Sequence, residues 1–199
     1  QQLQAPVLQS LGRSFPVDVR YQVPTQQPLA LQCGDIVLQA LAQHAGNLLV
    51  FLPGQREIDQ CADYLLQKLP DASVKVHALI GSLSLAEQQA AIAAPPPGQR
   101  KVVLATNIAE TSLTIDGISV VIDSGQARAA VFEPKLGFSK LETIQISQAA
   151  ATQRAGRAGR LMPGVCYRLD TAEKWQRRRA QTIHDILQAD LLALRLDIA

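Results

Sequence analysis

From residue 35 onward the apolar residues recur in two alternating patterns, short continuous runs and stripes at helical spacing. A helical run over 35–43 leads to Asn47-Leu48-Leu49-Val50-Phe51-Leu52, apolar at nearly every position, which predicts a buried strand. Pro53-Gly54 opens an amphipathic helix over 55–69, with Ile58, Cys61, Ala62, Leu65, Leu66 and Leu69 on one stripe. A strand over 73–79 follows, then a helix over 85–93 that Pro95-Pro96-Pro97-Gly98 brings to an end. Lys101-Val102-Val103-Leu104-Ala105 and Ser119-Val120-Val121-Ile122-Asp123 predict two more inner strands, and Gly164-Val165-Cys166-Tyr167-Arg168 a last one. Strands written as apolar runs and separated by helices indicate a mostly parallel sheet covered on both faces, the α/β class.

Three stretches depart from this rhythm. Residues 1–33 are rich in Gln and Pro and poor in charge, and read as a linker (1–14) followed by an edge strand at Phe15-Pro16-Val17-Asp18-Val19-Arg20-Tyr21. Residues 127–146 read as a β-hairpin projecting from the sheet, its arms flanking Glu133-Pro134-Lys135-Leu136-Gly137. From residue 171 to 199 the chain turns helical, with apolar residues at helical spacing over 185–197, as expected of the opening of a further domain.

Composition narrows the class without naming a chemistry. A 199-residue chain with 47% hydrophobic and 18% charged residues has room for one well-cored domain. Net charge is only +2, which decides nothing about nucleic acid. Arginines at 154, 157, 160, 168, 177, 178 and 179 crowd the last quarter, however, and allow a local basic surface. Cysteines 33, 61 and 166 form no CxxC pair, and histidines 44, 77 and 184 are scattered, so no zinc or other metal site is expected. There is no apolar run of transmembrane length and no secretory leader pattern, and the expected setting is cytoplasmic and reducing.

The chemistry-bearing stretch is Gln153-Arg154-Ala155-Gly156-Arg157-Ala158-Gly159-Arg160. Each interior glycine costs a helix about 1 kcal/mol relative to alanine, so helix propensity does not account for it. Glycine admits another backbone or a ligand at close range, and guanidinium groups match phosphate oxygens. Arginines three apart share a helix face, so Arg154 with Arg157, and Arg157 with Arg160, are expected to converge on one polyanion. A bare repeat of this kind would otherwise read as a solvated basic helix.

A second polar stretch, Thr106-Asn107-Ile108-Ala109-Glu110-Thr111-Ser112-Leu113-Thr114-Ile115-Asp116-Gly117, follows a strand and is expected beyond the carboxyl ends of the sheet, where α/β proteins bind ligands. Thr106 and Asn107 stand at the mouth of a short helical turn whose free N–H groups suit a phosphate, and Asp116 offers a carboxylate to hydroxyls such as those of a ribose. Thr, Ser and Asn are also common in loops for backbone reasons alone.

Together the two stretches closely resemble motifs V and VI of the DEAH-box helicases, and Leu49-Val50-Phe51-Leu52-Pro53-Gly54-Gln55-Arg56-Glu57-Ile58 resembles motif IV. The resemblance extends from about residue 15 to the C-terminus and is most similar to the bacterial HrpB-type subfamily. It implies a RecA-like three-layer sandwich, the second of two lobes that hold ATP between them, over about 15–170. The chain has no GxxxxGK[ST] loop and no Asp-Glu pair, the features that the family carries on the first lobe. The resemblance implies ATP or another NTP with Mg2+, the metal held mainly by the first lobe, and partners in that lobe and in single-stranded or structured RNA, with no membrane. It assigns Arg157 and Arg160 as arginine fingers with Gln153 beside the phosphates, Asp116 and Thr114 to the ribose, Ser112 to nucleotide–RNA coupling, and Thr106, Asn107, Gly54 and Arg56 to the RNA backbone. The implied activity is ATP-dependent RNA unwinding by the full-length protein, with the isolated lobe inactive. Eukaryotic relatives in that family carry a base-stacking phenylalanine where this chain has Ala93. A non-catalytic RNA-binding module and a DNA-directed motor of the same superfamily are the alternative readings.

Overall fold

Along each inner strand successive side chains point to opposite sides, and here both sides are apolar and both are covered. The structure, a computed structural model, describes residues 15–69, 73–110, 113–133 and 138–182. In chain order the elements are β1 (Val17–Tyr21), α1 (Leu29–Gln43), β2 (Asn47–Phe51), α2 (Gln55–Lys68), β3 (Val74–Leu79), α3 (Leu85–Ile92), β4 (Arg100–Ala105), β5 (Ile118–Asp123), β6 (Gln126–Glu133), β7 (Phe138–Gln145), α4 (Gln148–Gly156), β8 (Gly164–Arg168) and α5 (Ala172–Gln176). Six strands form one parallel sheet in the order β1-β8-β5-β2-β4-β3, and β6 and β7 pair antiparallel as a separate hairpin. Leu48, Val50, Val102, Leu104 and Ile122 pack toward α1 and α2, against Cys33, Val37, Ile58 and Leu65. Leu49, Phe51, Val103 and Val121 pack the other way, toward Ala91 of α3 and Ala155 of α4. The result is the α/β three-layer sandwich of the RecA-like folds.

Two adjacent residues show how the pleat organises both layers. Arg100 and Lys101 open β4 and point to opposite faces. On one face Arg100 donates to the carbonyls of Leu41 (2.9 Å), His44 (2.6 Å) and Gly46 (2.9 Å), closing the C-terminal end of α1. On the other, the Lys101 Nζ donates to the carbonyls of Ala91 (2.8 Å), Ile92 (3.0 Å) and Ala93 (2.5 Å), closing α3. A cation at the C-terminal end of a helix meets both its orphan carbonyls and its dipole.

Several expectations need correction. The first helix begins at Leu29, not at residue 35. Its opening turn lies in the Gln- and Pro-rich stretch 1–33, where no helix is expected, but Gln32 accepts from the Thr25 amide and donates to the Thr25 and Gln27 carbonyls, which folds that stretch onto the helix. Leu66 is not on the buried stripe of α2 and is 68% exposed; one residue past buried Leu65, it lies about 100° further round the helix. The first hairpin arm is longer than the apolar pattern suggests, β6 running Gln126–Glu133. The expected linker 1–14, the hairpin tip 134–137 and the apolar tail 185–197 lie outside the described residues.

The edge strand β1 is held by the arginine stretch itself. The Phe15 amide donates to the Gly159 carbonyl at 2.8 Å, and the Gly164 amide to the Pro16 carbonyl at 3.1 Å. A Cβ at position 159 would stand 2.5 Å from the Phe15 carbonyl oxygen and 2.7 Å from Val17 Cγ2. Gly159→Ala is therefore expected to lower stability by about 1–3 kcal/mol, measured as a fall in the midpoint of urea or thermal unfolding.

Candidate functional site

Ser147 starts α4 by accepting from the Ala150 amide at 3.1 Å, and the helix stops at Gly156. The arginine stretch thus straddles a helix end, and its three arginines do not share a face. Arg154, still helical, points into the sheet and is fully buried. Its Nε donates to Glu110 Oε1 at 2.7 Å, its Nη1 to Asp123 Oδ1 at 2.9 Å and to the Gln126 carbonyl at 3.1 Å, and its guanidinium lies 4.7 Å from the centre of the Phe51 ring. Burial works against this charge, but Asp123 and Glu110 outweigh it and hold the guanidinium more firmly protonated than a free arginine. Arg154 is consumed by this network and does not join Arg157 on a polyanion, contrary to the expectation from i, i+3 spacing.

Arg157 and Arg160 are placed differently. Arg157 is only 5% exposed, and its Nη1 donates to the Leu113 carbonyl. Arg160 is exposed, and its Nη1 donates to Thr114 Oγ1 at 3.1 Å. Burial and the neighbouring Arg160 both push the Arg157 guanidinium below its usual range, and Glu110 opposes them only in part. A buried cation that donates to a neutral carbonyl is under-compensated, and such a site favours an incoming anion. The two arginines stand between two adjoining clefts. One, of about 370 Å3, is lined by Glu110, Gln153, Gly156, Arg157 and Arg160. The other, of about 330 Å3, adds Thr114, Ile115, Ile118 and Leu161. Gly156 borders both, and a Cβ there would meet nothing within 4 Å. The two glycines of the stretch therefore do different jobs: Gly159 admits a backbone and Gly156 leaves open space.

The polar stretch after β4 does not sit wholly at the carboxyl ends of the strands, as expected. Because β4 and β5 both run parallel to β2, the chain between them must cross back to the other end of the sheet. Thr106, half-buried, and Asn107, exposed at the start of a short 3-10 turn, lie at the carboxyl end of β4. Gly54 and exposed Arg56 lie next to them at the start of α2, since Phe51 and Ala105 are register partners. Thr114 and Asp116 are at the opposite, amino end: the Asp116 amide donates to the Ile92 carbonyl at 3.4 Å and its carbonyl accepts from Asn47, the first residue of β2, at 3.2 Å. The structure brings Gln153, Arg157, Arg160 and Thr114 together, with Asp116 on the same edge, and separates them from Thr106, Asn107, Gly54 and Arg56. Ser112 lies outside the described residues.

The family model of the helicase conserved C-terminal domain matches residues 32–162. The chain belongs to the helicase C-terminal domain family. This helicase C-terminal domain is 46% identical over 196 residues to the ATP-dependent RNA helicase HrpB of Escherichia coli, covering 98% of the chain and 24% of that protein. It is 44% identical over 180 residues to the pre-mRNA-splicing factor ATP-dependent RNA helicase prp22 of Schizosaccharomyces pombe, covering 86% of the chain and 15% of that protein. A crystal structure of the Escherichia coli DEAH/RHA helicase HrpB superposes with a TM-score of 0.93 at 46% identity, over 98% of this chain and 25% of that one. The chain thus spans about a quarter or less of the length of these relatives.

Sequence reasoning missed three residues of this helicase domain: Arg154 as a core ion, and Glu110 and Asp123 as its partners. The available signal was Asp123 ending an otherwise apolar strand, where an acid needs a partner. It also overstated the basic surface. Arg168 is buried with its guanidinium 3.8 Å from the Trp175 ring centre, and Arg178 pairs with Asp170 at 2.7 Å. Asp123→Asn, which keeps the shape but removes a buried charge from Arg154, is expected to cost about 3–5 kcal/mol in unfolding free energy, measured by urea denaturation. Gly156→Ala, by contrast, is expected to keep or slightly raise stability while narrowing both clefts, measured as an unchanged or higher thermal midpoint.

Proposed function

We propose that this helicase C-terminal domain is the second motor lobe of an ATP-dependent RNA helicase, working in the cytoplasm, and that the clefts beside Arg157 and Arg160 form one wall of a nucleotide site completed by the first lobe. The observation that carries the reading is the under-compensated, buried Arg157 cation, with Arg160 beside it, facing a cleft floored by Gly156. A triphosphate fits that chemistry, because its anionic oxygens supply the counter-charge that the Leu113 carbonyl does not.

In this reading Arg157 and Arg160 neutralise charge developing on the transferring phosphoryl group, a contribution of roughly 10³ to 10⁵ in rate for arginine fingers in general. Gln153, exposed on the same turn of α4, donates or accepts at the phosphates and the attacking water. Asp116 and Thr114 receive the ribose on the far side of Arg160, and Ser112 links the nucleotide side to the RNA side. Magnesium accompanies the nucleotide and is held mainly by the first lobe, where it offsets phosphate charge. Thr106, Asn107, Gly54 and Arg56 hold the RNA backbone at the other end of the sheet, through phosphate and sugar rather than bases, which gives little sequence preference and strong salt dependence. Without its facing lobe this domain is inactive. Among the described residues no helix is long and apolar enough to cross a membrane.

Arg157→Ala in the full-length protein is expected to reduce RNA-stimulated ATPase at least about a hundredfold while RNA affinity stays within twofold, measured by steady-state turnover and by RNA titration. Unchanged turnover would sink the assignment.

A further inference from the structure

Asp116 is exposed, yet its backbone is held on both sides. Its amide donates to the Ile92 carbonyl at 3.4 Å, and its carbonyl accepts from Asn47 Nδ2 at 3.2 Å. Both holding groups are themselves held by Lys101. The Lys101 Nζ, in a residue only 1% exposed, donates to that same Ile92 carbonyl at 3.0 Å and to those of Ala91 and Ala93. The Lys101 amide donates to Asn47 Oδ1 at 3.0 Å. Asn47, 8% exposed, therefore has its amide oxygen and its amide nitrogen both engaged, one on β4 and one on the Asp116 loop. Gly117 closes the arrangement: it adopts φ +70°, and a Cβ there would stand 2.7 Å from Asn47 Nδ2.

Burial pushes the Lys101 ammonium down to about 8, against the opposing pull of the Asp116 charge. The ammonium satisfies the three carbonyls that end α3, of which that of Ala91 is buried away from solvent. What the buried ammonium adds is a fixed position for Ile92, and through Ile92 for the Asp116 amide. Asp116 itself is exposed, open to a ligand arriving from solvent.

We infer that Lys101 and Asn47 are positioning residues that hold the Asp116 carboxylate ready to accept from the vicinal hydroxyls of a nucleotide sugar, and so set how strongly the site prefers a nucleotide that carries them. The inference rests on the assignment of Asp116 to the ribose made above. Two hydrogen bonds to a diol demand a carboxylate fixed in place, because a mobile side chain loses the geometric advantage of accepting both at once. Neither Lys101 nor Asn47 touches the sugar; both act through the backbone of residue 116.

The test is steady-state turnover by the full-length protein at saturating single-stranded RNA, with ATP against 2′,3′-dideoxy-ATP. Lys101→Met and Asn47→Asp, the second keeping the acceptor for Lys101 but losing the donor to Asp116, are expected to raise KM for ATP about three- to tenfold. KM for the dideoxy nucleotide and kcat for both should stay within twofold. Asp116→Ala sets the scale by abolishing the difference between the two substrates. Equal losses on both substrates would make the two residues merely structural and overturn the inference, while leaving the ribose assignment intact if Asp116→Ala still behaves as stated. An Asp116→Ala variant that preserves the difference overturns the assignment and the inference together. Should Lys101→Met fail to fold, Asn47→Asp decides between these outcomes alone.

Discussion

Placing the Arg154 guanidinium under a parallel sheet costs several kcal/mol in lost hydration, and much of this domain is arranged around that charge. Asp123 comes from the end of β5, Glu110 from the stretch after β4, the Gln126 carbonyl from the start of the hairpin, and the Phe51 ring from β2. Four separate segments converge on one side chain, each supplying charge, a lone pair or a π-face. Asp123 is in turn held by the Gly125 amide at 2.9 Å. Such a network is unforgiving, since removing one acid leaves a buried charge without compensation. It also ties α4 to the loop after β4, and so ties the arginines of one to the polar residues of the other.

That loop is where the geometry of a parallel sheet becomes a functional constraint. Consecutive parallel strands require the intervening chain to return to the opposite end of the sheet. β4 has six residues, so the return covers roughly 17 Å at the rise of a strand. The stretch from Thr106 to Gly117 makes this crossing while passing Glu110, which holds Arg154, and Leu113 and Thr114, which hold Arg157 and Arg160. One continuous segment therefore connects the proposed RNA face to the proposed nucleotide face, with the arginine turn bound at its middle. A shift at Asn107 has a direct covalent route to the groups that orient Arg157 and Arg160.

The other end of α4 is fixed by the chain that leaves the sheet. The carbonyls of Arg179 and Ala180 accept from the Gln148 and Ala149 amides at 2.9 and 3.0 Å, satisfying N–H groups that a helix start leaves open. Gln148 Nε2 reaches back to the carbonyls of Gln176 and Arg178, and Arg178 spans Asp170, the Gly125 carbonyl and the Ile146 carbonyl at the hairpin base. The helix that carries Gln153 and leads into Arg157 is thus clamped at its start by the segment that exits the sheet, and near its end by the Arg154 network.

The class of fold was legible along the chain because it is written locally. Apolar runs mark the inner strands of a doubly covered sheet wherever they occur, which is why β2, β5 and β8 were found to within a residue. Arginines among glycines signal phosphate chemistry by residue type and spacing alone. The start of α1 was not legible, because its tether is a set of hydrogen bonds from Gln32 to Thr25 and Gln27, in a Gln- and Pro-rich stretch without helical periodicity. Nor was the division of labour within the arginine stretch. Periodicity assumes that a helix continues, whereas α4 stops at Gly156, so Arg154, still helical, faces inward while Arg157 and Arg160 stand past the stop at the clefts. Which glycine meets a backbone, which meets open space, and which acid pairs with the buried arginine depend on segments more than 25 residues apart being brought into contact. The sequence by itself determined the fold class and the residue types gathered at the site, because these follow from neighbouring residues. The tertiary structure alone decided which charges are spent on the core and which remain for a ligand, because burial is a property of the packed sheet and not of any one stretch.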